Sequence, residues 1–252
     1  MPFTFSHPAI ILPLTKINKK YISATALVAG SMAPDFEYFI NMRMIQRHGH
    51  TISGMFYYDL PLAILLCFVF HLFIRDALIK YTPIPFKKQL NNYYNFDWLT
   101  RFKKYYLTII ISALIGVCSH LFWDSFTHAN RYFVELIPFL RESSSVLGYT
   151  FSNYTCAQYI SSLIGALAIV FTVFDLKNLS AHQFKFKEIF IYWMFVFLIV
   201  VTIVLIRNVT NLGMLIATGI SGTLIGLGIA GKIMLILKPR NEIFNQGNHQ
   251  EF

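Results

Sequence analysis

The chain has 252 residues, of which 56% are hydrophobic and only 13% charged, with a formal net charge of +9. An ordinary soluble domain of this size carries about a quarter of its residues as Asp, Glu, Lys and Arg. The composition therefore excludes that class and points to an all-α, polytopic integral membrane helical bundle of about five or six membrane helices, one integral domain over residues 1–252. Its positive charge collects in short loops beside apolar runs, a membrane-topology pattern, which excludes nucleic acid as a partner.

The start, Met1-Pro2-Phe3-Thr4-Phe5-Ser6-His7, lacks the basic region and small-residue cleavage pattern of a cleavable signal, so insertion is expected to use internal segments. Residues 21–40 begin apolar but contain Gly30, Pro34, Asp35 and Glu37. They fit a kinked membrane helix, a re-entrant segment or an interfacial helix, and Pro34 predicts a helix break near Ala33. Five further runs approach spanning length: residues 56–74, 105–122, 154–174, 189–206 and 212–237. The last carries Gly219, Gly222, Gly226, Gly228 and Gly231, a pattern of close helix contact through small residues.

Lys80, Lys87, Lys88, Arg101, Lys103 and Lys104 lie between the first two runs. Lys177, Lys185 and Lys187 precede the fourth run, and Lys238-Pro239-Arg240 follows the last. The positive-inside rule places these regions in the cytoplasm, leaving residues 123–153 and 207–211 outside. Cys67, Cys118 and Cys156 have no paired spacing and read as small buried hydrophobes. Trp98, Trp123 and Trp193 read as interface anchors, and His71 and Arg75 as headgroup contacts.

Unusual polar groups concentrate in residues 1–130, whereas residues 154–237 are mainly apolar. His120, Asp124 and His128 are four residues apart, a spacing that puts all three on one helix face. Such groups are costly in a membrane unless paired, metal-bound or facing a polar cavity. Three other clusters join them: Ser6-His7-Pro8, the segment from Gly30 to Glu37, and Arg47-His48-Gly49-His50-Thr51. Imidazole and carboxylate donors suit zinc, iron or manganese, so a divalent metal is expected on His7, Asp35, His50, His120, Asp124 and His128. Glu37 and His48 are candidates for proton transfer or support, and Arg47 for holding an anionic group such as phosphate. Each has a plainer alternative. His120 could pack between helices, Asp124 or Asp35 could cap one, and His48, His50, His128 and Arg47 could be solvated. Asp59 and Pro61 are expected to shape the start of their span.

These segments resemble an uncharacterised family of bacterial multi-pass proteins that is similar in pattern to inner-membrane metal-dependent hydrolases. The resemblance is carried by Phe5-Ser6-His7-Pro8, Gly30 through Glu37, Arg47 through Thr51, and His120-Leu-Phe-Trp-Asp124, mainly within residues 1–130. It implies a metal site on His7, Asp35, His50, His120 and Asp124. The related pattern often has a Pro-Asp-hydrophobic-Asp element where this chain has Pro34-Asp35-Phe36-Glu37. The expected activity is metal-dependent hydrolysis of a membrane-associated ester or phosphate, with a membrane lipid or lipid-linked small molecule as substrate. A metal- or proton-coupled transporter and a noncatalytic metal-binding scaffold are the alternatives, although the later spans offer few ionisable groups for a relay.

Overall fold

The computed structural model describes residues 4–83, 94, 96–146, 148–175 and 186–237. Lys87, Lys88, Lys177, His182, Lys185, His249 and the run Lys238-Pro239-Arg240 lie outside the described residues. Among the described residues, five helices are long and apolar enough to cross a membrane: Ile52–Tyr81, Trp98–Leu136, Asn153–Phe174, Phe186–Ile206 and Leu212–Ile236. They coincide with the five apolar runs, and the protein is a polytopic α-helical membrane bundle. Its sheet is one small hairpin, β1 (Ser143–Val146) paired antiparallel with β2 (Tyr149–Ser152).

Residues 21–40 are not among these spans. They form α1 (Ala24–Met32), a turn at Ala33–Asp35 and α2 (Phe36–Asn41), with the break beside Pro34. Ser23 starts α1 by accepting a hydrogen bond from the Ala26 N–H. The long helices are α3 (Ile52–Tyr81), α4 (Trp98–Thr127), α5 (Asn153–Phe174), α6 (Phe186–Ile206) and α7 (Leu212–Ile236). In α3, π-helical turns occupy Met55–Asp59 and Phe70–Ile74.

The chain forms two compact units. The first comprises Met1–Asn41, Ile45–Phe68 and Asp97–Lys177. Its N-terminal arm, Thr4–Lys16, is a 3-10 helix carrying Pro8 and Pro13, which an α-helix interior would not accommodate without a kink. At about 2.0 Å per residue, an arm of 13 residues rises roughly 26 Å. Its contacts along α4 agree with that length. His7 meets Asp124 near one end, while the Lys19 and Lys20 carbonyls meet Arg101 and Thr108 towards the other. The chain then returns through α1, which starts where the Ser23 N–H donates to Ser112 and reaches His120 through Ser31. The arm and α1 thus form a two-legged hairpin along α4. An N-terminal histidine reaches the same level as Asp35 because the arm itself covers that length.

Glycines set these approaches. A β-carbon on Gly116 would strike the Leu27 carbonyl oxygen and stand 2.7 Å from the Ser31 nitrogen, so α1 and α4 pack almost backbone to backbone. Gly165 in α5 admits Ser6 of the arm in the same way. Buried Ala26, Ala29, Ala63, Cys67, Trp98, Ile109, Ala113 and Val117 form the core beside them. Trp98 is therefore a packing residue, set against Phe68 and Phe102 rather than at an interface. Cys67 is buried as expected, but Cys118 is exposed and Cys156 half-buried.

The second unit comprises Met42–Met44, Val69–Phe96 and Asn178–Phe252. Here α6 and α7 pack through Gly222 and Gly226 against Val200 and Val196, while Gly231 lies against Ala77. Ile74, Tyr81, Tyr192, Val196, Leu227, Ala230 and Met234 form its core. His71 and Arg75 are buried, not spread among headgroups. Arg75 bonds His71, Asp76 and the Phe96 carbonyl, which compensates the burial of its charge.

Candidate metal centre

The close α1–α4 contact brings the Ser31 carbonyl to 2.7 Å from Nδ1 of His120. One turn further along α4, Asp124 projects from the same face, but His128 does not continue the helix. It is the C-cap, with extended backbone at φ −126° and ψ 142°, yet its Nδ1 lies 3.3 Å from Asp124 Oδ1. The arm supplies His7, whose Nδ1 lies 3.2 Å from the Thr4 carbonyl. The turn after α1 supplies Asp35, whose Oδ2 accepts the Thr4 hydroxyl at 2.6 Å.

The loop before α3 supplies His50, and it is held by Glu37. That carboxylate accepts the backbone N–H groups of Arg47, His48 and Gly49 at 2.8, 3.0 and 3.0 Å. Burial raises the Glu37 pKa, but the three N–H groups outweigh it and hold the carboxyl below its ordinary value. The next residue, His50, has φ +61°, a left-handed conformation that costs a non-glycine residue about 1–3 kcal/mol. Gly49 cannot carry a side chain without meeting the Pro34 carbonyl oxygen at 2.6 Å. A clamped, strained loop thus aims one imidazole inward.

These elements converge on Asp124. Its Oδ1 lies 3.1 Å from His7 Nε2 and 3.3 Å from His128 Nδ1. Its Oδ2 lies 2.8 Å from His50 Nε2 and 3.3 Å from His120 Nε2. Asp35 Oδ1 stands 3.5 Å from His50 Nε2 and 3.8 Å from His120 Nε2. The His7 and His120 rings stack with centroids 4.0 Å apart, and His50 meets His120 edge-on. His120 is 0% exposed, and His7, Asp35, His50 and Asp124 are also buried. Among the described residues two groups could hold a metal ion, His7–Asp35–His120 and His50–His120–Asp124, and they share His120.

The hydrogen bonds assign the protons. Nδ1 of His120 and Nδ1 of His7 face carbonyls, so each is the donor and, in a neutral ring, Nε2 presents a lone pair to the cluster. The Gln46 amide nitrogen contacts both the Pro34 carbonyl and Nδ1 of His50, which makes that Nδ1 an acceptor and puts the His50 proton on Nε2, toward Asp124. Burial holds the His50 pKa below the usual imidazole range despite that bond. The His7 lone pair then faces an Asp124 oxygen at 3.1 Å with no proton to share, and His120 faces Asp124 and Asp35 in the same way. Such acceptor pairs are balanced by a metal ion between them or by an added proton on the ring. Ligands about 2.0–2.1 Å from a tetrahedral ion stand roughly 3.3 Å apart, close to the spacings here, so the donor set fits a divalent metal.

The remaining expected residues lie elsewhere. His48 is exposed, with Nδ1 3.1 Å from the Tyr57 hydroxyl, and its ring leans on Tyr58. The Arg47 side chain is exposed, and Glu37 is spent on the loop backbone. Sequence reading passed over Thr4, Ser31 and Gln46, which orient the site residues, and Arg131, whose guanidinium donates to the His50 carbonyl at 2.8 Å. Asp59 lies at the start of its span, where the sequence placed it. This carboxylate is 0% exposed, ends the π-helical turn, and has no hydrogen-bond partner for either oxygen among the described residues. Tyr38 bonds Gln46, and burial together with the charges of Asp35 and Asp124 pushes its phenol up to about 12.

The family model described as Domain of unknown function (DUF4184) matches residues 1–237, and the chain belongs to that family. No curated protein and no solved structure matches the chain.

Proposed function

We propose that this DUF4184 member is a metal-dependent hydrolase of the bacterial inner membrane, acting on a membrane-associated ester or phosphate. The observation that supports it best is the convergence of four histidines on one buried carboxylate, with a second carboxylate alongside. A structural role for helix packing would not require lone pairs to face one another. His7, Asp35, His120 and Asp124 would hold the ion, with His50 donating its Nε2 proton to Asp124 or turning to join the shell. When bound, a divalent ion supplies Lewis acidity to water or to a substrate oxygen.

The chain's own residues do the positioning. Ser31 and Thr4 carbonyls fix two imidazoles in the tautomer that presents Nε2, and Gln46 fixes the third the other way. Burial keeps bulk water from competing, while the partly exposed edge at His128, 32% open at its side chain, gives a substrate access. Purified protein is expected to contain stoichiometric divalent metal, lost in Asp35→Ala, His120→Ala and Asp124→Ala variants. It is expected to hydrolyse lipid or phosphate esters when loaded. Unchanged metal content in all three variants would sink the shared site, and full metal with no turnover would leave a metal-binding scaffold.

A further inference from the structure

Arg131 is the one cationic side chain bonded to this site among the described residues, and most of its guanidinium is unspent. It is half-buried and, among the described residues, makes one hydrogen bond, from NH1 to the His50 carbonyl. Among the described residues no carboxylate lies within ion-pair distance of it, whereas Arg141 and Arg75 each have an acidic partner. Its bond to the carbonyl of a site histidine places it beside the cluster and not on a remote surface. His128, three residues earlier, is the most exposed side chain touching Asp124. Arg47, the cation favoured by sequence, points to solvent from a loop held by its backbone.

We propose that Arg131 is the anion-receiving residue of this site and that the ligand taken there is a phosphate group. The proposal rests on the hydrolase reading and narrows its substrate to a phosphoryl ester. A guanidinium offers five N–H donors in a planar fork, which matches two oxygens of a phosphate. A carboxyl ester has no anionic oxygens to occupy that fork. With one N–H anchored on His50, the guanidinium is held in place and has donors to spare for a phosphate, whose other oxygens the ion held by the histidines would share.

The test uses the full chain in detergent, loaded with its metal, titrated with inorganic phosphate by calorimetry. Saturable binding is expected, weakened roughly 10- to 100-fold in Arg131→Gln and less in Arg131→Lys, with metal content retained. Absence of saturable phosphate binding by the metal-loaded wild type overturns the proposal. So does unchanged affinity in both variants, or metal loss in both, which would make Arg131 a structural support of the His50 loop. Where only Arg131→Gln loses metal, Arg131→Lys decides. A second arm uses micelles containing phosphatidic acid. Tighter binding there than to inorganic phosphate identifies a lipid headgroup as the source, and equal binding a soluble phosphate ester. Metal-loaded protein that cleaves carboxyl esters but ignores phosphate sinks this proposal alone. Phosphate binding without turnover of any ester sinks the hydrolase reading alone.

Discussion

The two units use polar groups in opposite ways. In the second, long-range bonds from neutral side chains end on backbone carbonyls. Tyr192 donates to Leu227, Trp193 to Tyr81 and Thr218 to Met42. Its hydroxyls on α7 mostly fold back on their own helix, Ser221 to Ala217 and Thr223 to Gly219. In the first, ionisable side chains meet one another across 117, 74 and 70 residues, as His7–Asp124, His50–Asp124 and His50–His120. The second unit thus satisfies polarity in an apolar setting at little cost, while the first concentrates it, and only a bound cation or proton balances it.

The sharpest way to break this contrast is Asp124→Asn. The substitution removes the charge and turns one of the two oxygens on which four imidazoles converge into an NH2 donor, so metal content by elemental analysis is expected to fall to background. Metal retained at the wild-type level would show that the convergence is only a hydrogen-bonded core. Next in size is Gly116→Ala in α4. Its β-carbon meets α1 backbone that cannot yield, so α1 must shift and carry the Ser31 carbonyl away from His120. Overpacking of this kind costs about 1–3 kcal/mol. The expected result is a lowered thermal midpoint together with weakened metal affinity; loss of one without the other would uncouple the packing from the site.

Glu37→Ala leaves three backbone N–H groups without their acceptor, a loss of about 1–3 kcal/mol, and releases the loop carrying His50. Glu37→Gln keeps an acceptor oxygen and is expected to retain most stability and metal. A Gln variant that folds, binds metal and has lost all turnover would instead return Glu37 to the role of proton acceptor. Asp59→Asn is expected to raise the thermal midpoint, because a buried carboxylate without a hydrogen-bond partner is costlier than a neutral amide. A lower midpoint would reveal a partner for Asp59 that only the ionised form engages.

What could be read from sequence followed from periodicity and composition. The five spans stand out because hydrophobic length alone sets them. The break at Pro34 follows from the missing N–H and the ring's steric demand. The His120–Asp124 pair is legible because both lie within one helix. The rest depends on contacts between distant segments. Nothing local announces that Thr4–Lys16 forms a long 3-10 arm, or that Arg131 reaches back to His50. The Glu37 charge reads as chemistry in a linear chain, and only the folded loop shows three N–H groups consuming it. His128 reads as a third rung of the helix, yet it reaches Asp124 from an extended cap.

The smallest expected effect lies in the second unit and serves as the counterweight to Gly116. In Gly226→Ala the new β-carbon would stand 3.2 Å from the Val196 carbonyl oxygen and 3.3 Å from its Cγ1, tight but within reach of a few tenths of an ångström of adjustment. Alanine also favours a helix over glycine by up to about 1 kcal/mol, which offsets that crowding. The thermal midpoint is therefore expected to move little, and metal content not at all, when both are measured beside Gly116→Ala. Both glycines allow close helix approach, but only Gly116 holds a carbonyl that orients a site histidine. A loss of metal in Gly226→Ala would mean that small-residue packing tunes the site from either unit, and the division of labour between them would fail.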